Sequence, residues 1–344
     1  MNDETVLVTG GTGFLGAYCV LRLLQAGYRV RTTLRDLRRA EDVREMLHRG
    51  GADRHAPVEY VQADLTRDDG WAAAVADCAY VLHVASPFPA RAPRDENELI
   101  VPARDGTLRV LRAARDAGVR RVVLTSSFAA IGYGHHRGKH VFTELDWTDP
   151  GGPGVGAYQR SKTLGERAAW DFVEREGGAL ELAVVNPVGI VGPLLGAPTT
   201  SIEMIRQLLD NEVPALPRLS YGLVDVRDVA DLHLLAMTDP AARGERFLAT
   251  AGDSLWVSDI ARILREGLGD AGKRVPTRTL PDFAVRALAL VVPSVRPMVP
   301  ELGKSKSLSN SKACRLLGWQ PRSAQESLIA TGQSLVDGAL LKRP

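Results

Sequence analysis

The chain has 344 residues, of which 45% are apolar and 24% charged, the composition of a globular protein with a substantial core. Its net charge is only +2, and its arginines alternate with acids instead of forming a long basic tract, which argues against nucleic acid as a partner. The three cysteines lie far apart without metal-ligand spacing, so we expect reduced thiols, a cytoplasmic location and no metal site.

The apolar segments contain no candidate membrane anchor. The acidic N-terminal residues run directly into a strand pattern, so we predict no signal peptide. The longest apolar run, near Ala284–Pro293, contains Arg286 and is too short to span a bilayer. We therefore expect a buried helix at this run and a soluble protein without a membrane partner.

The first two-thirds of the chain alternate short β-branched runs with longer segments rich in Ala, Leu and Arg. This alternation is typical of βαβ units and predicts an α/β fold with a Rossmann-type, doubly wound parallel sheet. The predicted strands are Thr5–Thr9, Arg29–Leu34, Val58–Gln62, Tyr80–Ala85, Arg121–Ser126 and Leu180–Asn186. The helices predicted between them are Gly16–Ala26, Arg39–His48 and Val101–Ala117.

The pattern changes after Asn186, where proline and glycine become frequent. A helix is predicted at Ser201–Leu209, a strand-to-helix segment follows at Leu223–Leu235, and a helix-rich tail closes the chain. We therefore expect two domains. Residues 1–186 with about 222–250 would form the dinucleotide-binding Rossmann domain, and about 187–221 with 251–344 a smaller, mostly C-terminal α/β substrate-binding domain.

A glycine-rich loop follows the first predicted strand and precedes the first helix. Gly11, Gly13 and Gly16 satisfy the pattern G-x-G-x-x-G. Such glycines allow a tight turn in which backbone N–H groups approach a pyrophosphate at a helix N-terminus. The loop therefore predicts a dinucleotide-binding site. The residues expected to contact the cofactor here are Thr9, Gly10, Gly13 and Gly16.

The end of the second strand indicates which dinucleotide binds. NAD sites place an acid there for the ribose, whereas NADP sites offer an arginine for the 2′-phosphate. Arg35 follows the strand at once, with Arg38 and Arg39 on the next turn. Because a guanidinium is a planar, bidentate partner for phosphate, we predict NADP(H), bound through Arg35 and Arg39. The alternative is that these arginines are solvated and Asp36 holds the ribose of NAD.

Three further residues predict proton-transfer chemistry. Tyr158 and Lys162 are four residues apart and so share one face of a helix. A tyrosine pKa of about 10 is lowered by a nearby ammonium, so Lys162 can prepare Tyr158 to donate a proton to a developing alkoxide. Ser127 ends a strand where a parallel sheet faces its cofactor, and its hydroxyl can hold a carbonyl oxygen. The alternative is a surface tyrosine and a serine that caps a strand end.

These motifs together resemble an extended short-chain dehydrogenase/reductase. The resemblance rests on the loop TGGTGFLG, the segment HVASP (His83–Pro87), LTSS before Phe128, YQRSK, NPVGIVGP (Asn186–Pro193) and the later segment Leu223–Ala230. It is greatest to the dihydroflavonol reductase-like branch with its carbonyl (aldehyde, ketone) reductases, and it covers nearly the whole chain. It implies reversible, NADPH-dependent reduction of aldehydes or ketones to alcohols. Tyr158 would be the general acid, Lys162 its electrostatic partner and Ser127 the residue that orients the carbonyl.

The resemblance also implies further cofactor contacts. Phe14 and Leu15 would line the pyrophosphate turn, and Asp64 and Leu65 would flank the adenine. Ala85 and Ser86 would contact the ribose, and Pro187 and Val188 the nicotinamide. Asp64 is equally explained as a loop cap. Apolar contacts to the substrate are expected from Phe88, Phe128, Met204 and Tyr221, although Met204 is equally explained as a core side chain.

Two departures from the family narrow the substrate. Ala130-Ile131-Gly132 stands where flavonoid reductases carry an Asn, which argues against a flavonoid. Gly156–Lys162 lacks the N-W-Y-C-Y-G-K motif of cinnamoyl-CoA reductases, which argues against a CoA thioester. The remaining expectation is an aldehyde or ketone with an apolar or aromatic substituent, reduced by a monomer or a homodimer.

Other functions are compatible with the same fold. A nucleotide-sugar epimerase or dehydratase would hold NAD and would need cations for a diphosphate, for which Arg206, Arg218 and Arg227 are candidates. A hydroxysteroid dehydrogenase is a narrower alternative. A non-catalytic cofactor sensor is a third, although such proteins usually lose the Tyr or the Lys, and both are present here.

Overall fold

A computed structural model describes residues 3–86, 95–135 and 141–342. The strands within these ranges are β1 (Thr5–Thr9), β2 (Arg29–Leu34), β3 (Val58–Gln62), β4 (Cys78–His83), β5 (Arg121–Thr125), β6 (Val141–Phe142), β7 (Glu181–Pro187), β8 (Gly189–Val191), β9 (Leu216–Pro217), β10 (Ser220–Tyr221), β11 (Leu223–Asp225), β12 (Arg246–Ala249), β13 (Leu255–Trp256), β14 (Thr279–Leu280) and β15 (Ser307–Leu308).

The α-helices in the same ranges are α1 (Phe14–Gln25), α2 (Ala40–Arg49), α3 (Trp71–Val75), α4 (Asn97–Asp116), α5 (Ala157–Glu176), α6 (Thr200–Leu209), α7 (Val226–Thr238), α8 (Val257–Gly267), α9 (Gly269–Gly272), α10 (Asp282–Val291), α11 (Ser311–Leu317) and α12 (Ala324–Asp337). Short 3₁₀ helices lie at Leu37–Arg39, Phe128–Ala130, Pro240–Ala242 and Pro293–Glu301.

Seven parallel strands form the central sheet in the order β12-β7-β5-β4-β1-β2-β3. This order confirms the predicted Rossmann-type sheet. The chain order reverses between β1 and β4, and ligands of open α/β sheets bind in the crevice outside the carboxyl ends of such strands. The segments after β1, β4 and β5 therefore meet at one edge of the sheet.

Alternate residues of the strands pack against opposite layers of helices. Val6 and Val8 of β1 join the larger apolar cluster with α1 and α7, whereas Leu7 joins a second cluster with α3, α4 and α5. Because both faces are covered, the central strands are apolar almost throughout.

The segment after β7 and the C-terminal tail pack together beside the sheet. β8 pairs with β11, and the larger apolar cluster continues without a break from α1 to α12. Thr331 of α12 accepts a hydrogen bond of 2.7 Å from the Gly192 N–H. Asp228 of α7 binds the guanidinium of Arg322. These contacts attach the tail to the helix that covers the sheet.

Most predicted element bounds lie within two residues of those in the structure, but α4 begins at Asn97, four residues before its predicted start. The fourth strand begins two residues earlier than predicted, and the seventh, β12, was not predicted because four residues carry little periodicity. The apolar run near Ala284–Pro293 forms α10, but the prediction of a buried helix is wrong: Phe283 and Leu290 are 76% and 79% exposed. Among the described residues, no helix is long and apolar enough to cross a bilayer.

Candidate active site

The glycine loop after β1 is held by close backbone contacts. Gly10 has φ +77°, and a Cβ there would lie 3.1 Å from the Cβ of Ala85. A Cβ on Gly16 would lie 2.2 Å from the Gly10 carbonyl oxygen. Helix α1 begins after Gly13 without a side-chain cap, so its first N–H groups face the crevice without a side-chain acceptor. This is the arrangement that binds a phosphate at a helix N-terminus.

The ends of β1 and β4 are joined by a buried hydrogen-bond pair. The Thr9 hydroxyl lies 2.9 Å from His83 Nδ1 and accepts a 2.9 Å hydrogen bond from the Ala85 N–H. Burial, with a smaller contribution from Lys162, lowers the pKa of His83 to about 3, so the ring is neutral. Thr9 and His83 therefore fix Ala85 and Ser86 against the glycine loop.

The arginines after β2 differ in their partners. Arg38 holds Asp36 through several hydrogen bonds, which lower the pKa of that carboxyl, and Arg39 pairs with Asp42 at 2.9 Å. The exposed Arg35 guanidinium makes neither a hydrogen bond nor an ion pair within the described part of the chain. Within the described ranges, Arg35 alone of the three has no ion pair, although its charge contributes to the lowered pKa of Asp64, and Asp36 is turned to Arg38.

The segment after β3 carries the predicted adenine contacts. Asp64 accepts hydrogen bonds from the Thr66 N–H at 2.8 Å and the Thr66 hydroxyl at 2.9 Å, which lower the pKa of its carboxyl. Asp64 therefore caps this loop, and its contact to adenine stays a prediction. Leu65 packs against Gly106 of α4 and borders the same small cavity as Ser86.

The three residues proposed for proton transfer lie at neighbouring element ends. Tyr158 is half-buried in the first turn of α5, and Lys162 is one turn later. The Lys162 ammonium donates a 2.9 Å hydrogen bond to the Ser86 hydroxyl after β4. Ser127 follows β5, and its hydroxyl accepts from the Ala129 N–H at 3.1 Å, which leaves its own proton available to a second partner.

Tyr133, which the sequence analysis did not single out, lies near Tyr158. Burial raises the pKa of its hydroxyl, and the nearby groups Glu301, Tyr158 and Tyr221 raise it further. The Lys306 ammonium lies 4.2 Å from the centre of its ring. A single tyrosine in a glycine-rich segment carries no local pattern, so only the fold brings it to Tyr158.

A profile of the NAD dependent epimerase/dehydratase family matches residues 6–249. The chain belongs to this family. Its relatives include tetraketide α-pyrone reductase 2 of Arabidopsis thaliana, 37% identical over 75% of this chain and 81% of the relative. Dihydroflavonol 4-reductase of Hordeum vulgare is 32% identical over 77% and 75%. The resemblance to the extended, dihydroflavonol reductase-like branch is thereby confirmed.

The family fold extends over nearly all of the chain. The structure of yeast methylglyoxal/isovaleraldehyde reductase Gre2 complexed with NADPH aligns with a TM-score of 0.79 at 27% identity, covering 98% of this chain and 99% of Gre2.

The family motif at Leu223–Ala230 stabilises the start of α7 in this chain. Asp225 caps α7 by accepting a hydrogen bond from the Arg227 N–H at 2.9 Å. The motif thus has a structural role, since Asp228 of the same stretch binds Arg322.

The described residues among the four predicted to contact the substrate differ in how deeply they are buried in this chain. Phe128 is only 8% exposed and meets Phe142 edge-to-face at 5.7 Å, so its ring belongs to an apolar cluster, against which Tyr133 packs. Met204 is half-buried against the main core, as the alternative interpretation held. Tyr221 is 37% exposed. Phe88 lies outside the described residues.

The predicted nicotinamide contacts lie at the end of β7 and directly after it. Pro187 ends β7, and the Val188 N–H donates a 3.1 Å hydrogen bond to the Ala249 carbonyl. The Val188 side chain packs against the cluster around Phe128. Both residues therefore stand at the carboxyl end of the sheet, beside the segment that carries Ser127.

Proposed function

We propose that the protein is an NADPH-dependent reductase of aldehydes or ketones, with Ser127, Tyr158 and Lys162 as its catalytic residues. The observation that carries the proposal is the Lys162–Ser86 hydrogen bond of 2.9 Å. It places the ammonium of α5 at the carboxyl end of β4, next to the glycine loop. A cation at that edge lies where a dinucleotide binds in Rossmann sheets.

The residues around the crevice fit NADP(H). The crowding at Gly10 and Gly16 leaves no room for side chains, and the uncapped start of α1 offers N–H donors to a pyrophosphate. Arg35, which has no ion pair among the described residues, would bind the 2′-phosphate. When bound, the cofactor supplies the hydride that reduces the carbonyl carbon. The complex of Gre2 with NADPH supports the same cofactor for this chain.

The chain's own residues handle the proton and the carbonyl oxygen. Tyr158 donates its phenolic proton to the developing alkoxide, and the Lys162 ammonium stabilises the phenolate that is left. The Ser127 hydroxyl holds the carbonyl oxygen through the proton that its bond to Ala129 leaves free.

The substrate would lie beside Tyr158, near Tyr133 and Tyr221, since Tyr158 and Tyr221 are close enough to raise the pKa of the Tyr133 hydroxyl. Aromatic faces with few polar groups suit an aldehyde or ketone with an apolar or aromatic substituent. Residues 187–221 and 251–344, which supply Tyr221, would then form the substrate-binding domain, and residues 1–186 with 222–250 the NADP-binding domain.

The arrangement of cations disfavours a nucleotide-sugar substrate. Arg206 is held by Glu203, Asp210 and Glu212. Arg227 binds Asp225 at 2.7 Å, and Arg218 lies 3.3 Å from Asp282. Each arginine that would receive a diphosphate is therefore already neutralised by an acid.

The test is a substrate panel with NADPH oxidation followed by absorbance. Short aldehydes such as methylglyoxal and isovaleraldehyde, aromatic ketones, β-keto esters and a nucleotide sugar are compared, with Tyr158→Phe as the control for background oxidation. We expect turnover of aldehydes or ketones only. Turnover of the nucleotide sugar with bound NAD, and of no carbonyl compound with NADPH, would overturn the proposal.

A further inference from the structure

A fully buried carboxylate lies one turn after Lys162 on α5. The Glu166 side chain has no exposed surface and receives hydrogen bonds from four donors. The Ser126 hydroxyl and the Asn186 amide donate to one oxygen, at 2.5 and 2.7 Å. The Arg246 guanidinium and the Trp170 indole donate to the other. A carboxylate with four donors acts only as an acceptor and has its hydrogen-bonding capacity filled.

The four donors come from different elements of the site. Ser126 directly follows β5 and precedes Ser127, and its own N–H donates to the Val185 carbonyl of β7 at 2.8 Å. Asn186 lies near the carboxyl end of β7, and its amide also donates to the Ser127 carbonyl at 3.3 Å. Arg246 begins β12. Glu166 thus joins α5, which carries Tyr158 and Lys162, to the strand ends that carry Ser127.

The same carboxylate borders the space next to the ammonium. Lys162, Ser126 and Glu166 line one small cavity of about 20 Å³, together with Ser86. A space of this size holds about one water molecule. Glu166 therefore lines the same cavity as Ser86, the residue to which Lys162 donates, and lies close to the candidate active site.

We infer that Glu166 is a positioning residue, which fixes Ser127 relative to Tyr158 and Lys162. This inference rests on the proposed function, because it concerns the geometry of the same three residues. Burying an ion pair is costly in desolvation and adds little stability compared with an apolar packing. Small misplacements of a catalytic group have large effects on rate. A rate effect is therefore the outcome that separates positioning from simple core packing.

Glu181 offers a control for Glu166, because it also pairs with a buried arginine. Glu181, the first residue of β7, pairs with the buried Arg121 of β5 at 2.7 Å, but at the opposite edge of the sheet. Glu166→Gln and Glu181→Gln each remove one carboxylate charge from a buried arginine. Ser126→Ala removes the link to the Ser127 segment and keeps the Glu166–Arg246 pair, so it tests the idea even if Glu166→Gln folds poorly.

The experiment measures kcat, KM, NADPH affinity by fluorescence, thermal stability and amide hydrogen exchange of residues 126–132. We expect both substitutions, Glu166→Gln and Glu181→Gln, to lower the melting temperature. Only Glu166→Gln should lower kcat, by about 10- to 100-fold, with NADPH affinity nearly kept and faster exchange in residues 126–132. Ser126→Ala should lower kcat by a smaller factor, about three- to tenfold, and speed the same exchange.

Two results would overturn the inference. One is equal kcat and equal exchange of residues 126–132 in Glu166→Gln and Glu181→Gln. The other is wild-type kcat and exchange in Ser126→Ala. If the wild-type protein turns over no carbonyl compound, the proposed function fails, and the exchange comparison still decides whether Glu166 holds the Ser127 segment.

Discussion

At the scale of single residues, neighbouring groups decide which of several chemically similar side chains can bind the cofactor or donate a proton. Arg35, Arg38 and Arg39 have the same guanidinium and lie within five positions, yet Arg38 and Arg39 are neutralised by neighbouring acids. Tyr158 and Tyr133 are both tyrosines at the crevice, but only Tyr158 is on the helix that carries Lys162. The first two predictions concern these distinctions.

Arg35→Ala should weaken NADPH selectively. Charge-assisted bonds to phosphate are stronger than neutral ones, so we expect roughly a ten- to hundredfold rise in KM for NADPH. NADH lacks the 2′-phosphate and should be almost unaffected. The exposed Arg54, which pairs with Glu45, offers a control substitution that removes the same charge elsewhere. Equal losses for both cofactors, or a wild type that prefers NADH, would contradict the assignment of Arg35.

Tyr158→Phe should remove nearly all reductase activity while NADPH binding stays largely intact, because the ring is kept and only the proton donor is lost. General-acid catalysis contributes about 10²–10⁴-fold to rate. Steady-state kinetics give the loss in kcat, and fluorescence titration gives the NADPH affinity. Tyr133→Phe removes a neighbouring hydroxyl outside the Lys162 face and should leave more activity. Retention of more than about a tenth of kcat in Tyr158→Phe would argue against it as the acid.

At the scale of elements, the loop between β1 and α1 depends on how closely its backbone segments approach. The Gly10 carbonyl accepts from the Gly13 N–H at 2.9 Å and touches the position of a Gly16 side chain. The glycine pattern is thus needed for packing of the loop on itself as well as for ligand approach.

Gly16→Ala should therefore destabilise the loop, by about 1–3 kcal/mol as in other overpacked sites, and abolish NADPH binding. Gly165→Ala is the matched control, since this helical glycine of α5 has its nearest neighbour at 3.5 Å. We expect that variant to be neutral or stabilised by up to about 1 kcal/mol, because alanine favours helix. Thermal unfolding and NADPH titration measure both effects. Equal stability and equal NADPH affinity in Gly16→Ala and Gly165→Ala would mean that the crowding at Gly16 is unimportant.

At the scale of the whole molecule, two buried histidines link folding to pH. His233 of α7 donates from Nδ1 to the Val229 carbonyl and its Nε2 lies 2.7 Å from the Thr125 hydroxyl. Burial lowers the pKa of His233 to about 4 and that of His83 to about 3. Both rings are neutral in the folded protein, whereas an unfolded chain protonates them near pH 6.5.

The free energy of unfolding should therefore fall as the pH drops below about 6.5, because the unfolded state then binds more protons than the folded state. Each buried histidine contributes about 1.4 kcal/mol per pH unit down to its folded-state pKa. His233→Asn should flatten this slope between pH 6 and about 4, measured by urea denaturation. His55→Asn, at an exposed position, should keep the wild-type slope. An unchanged slope in His233→Asn would mean that the ring is not held neutral.

The sequence alone predicted the features that depend on neighbouring residues. The alternation of strand and helix segments, the Gly10–Gly16 loop and the Tyr158–Lys162 spacing are local patterns, because the periods of strands and helices and the backbone freedom of glycine act within a few residues. These patterns were sufficient for the Rossmann-type sheet and for the family.

Only the tertiary structure decided which side chains meet. The Thr9–His83 contact joins residues 74 apart and the Ser126–Glu166 contact joins residues 40 apart, and no local pattern encodes either. The ring of Phe128 is buried against Phe142, and α10 is exposed although its sequence is apolar. Burial and partner choice depend on the packing of distant segments, which is why the sequence could name the candidate residues but not their surroundings.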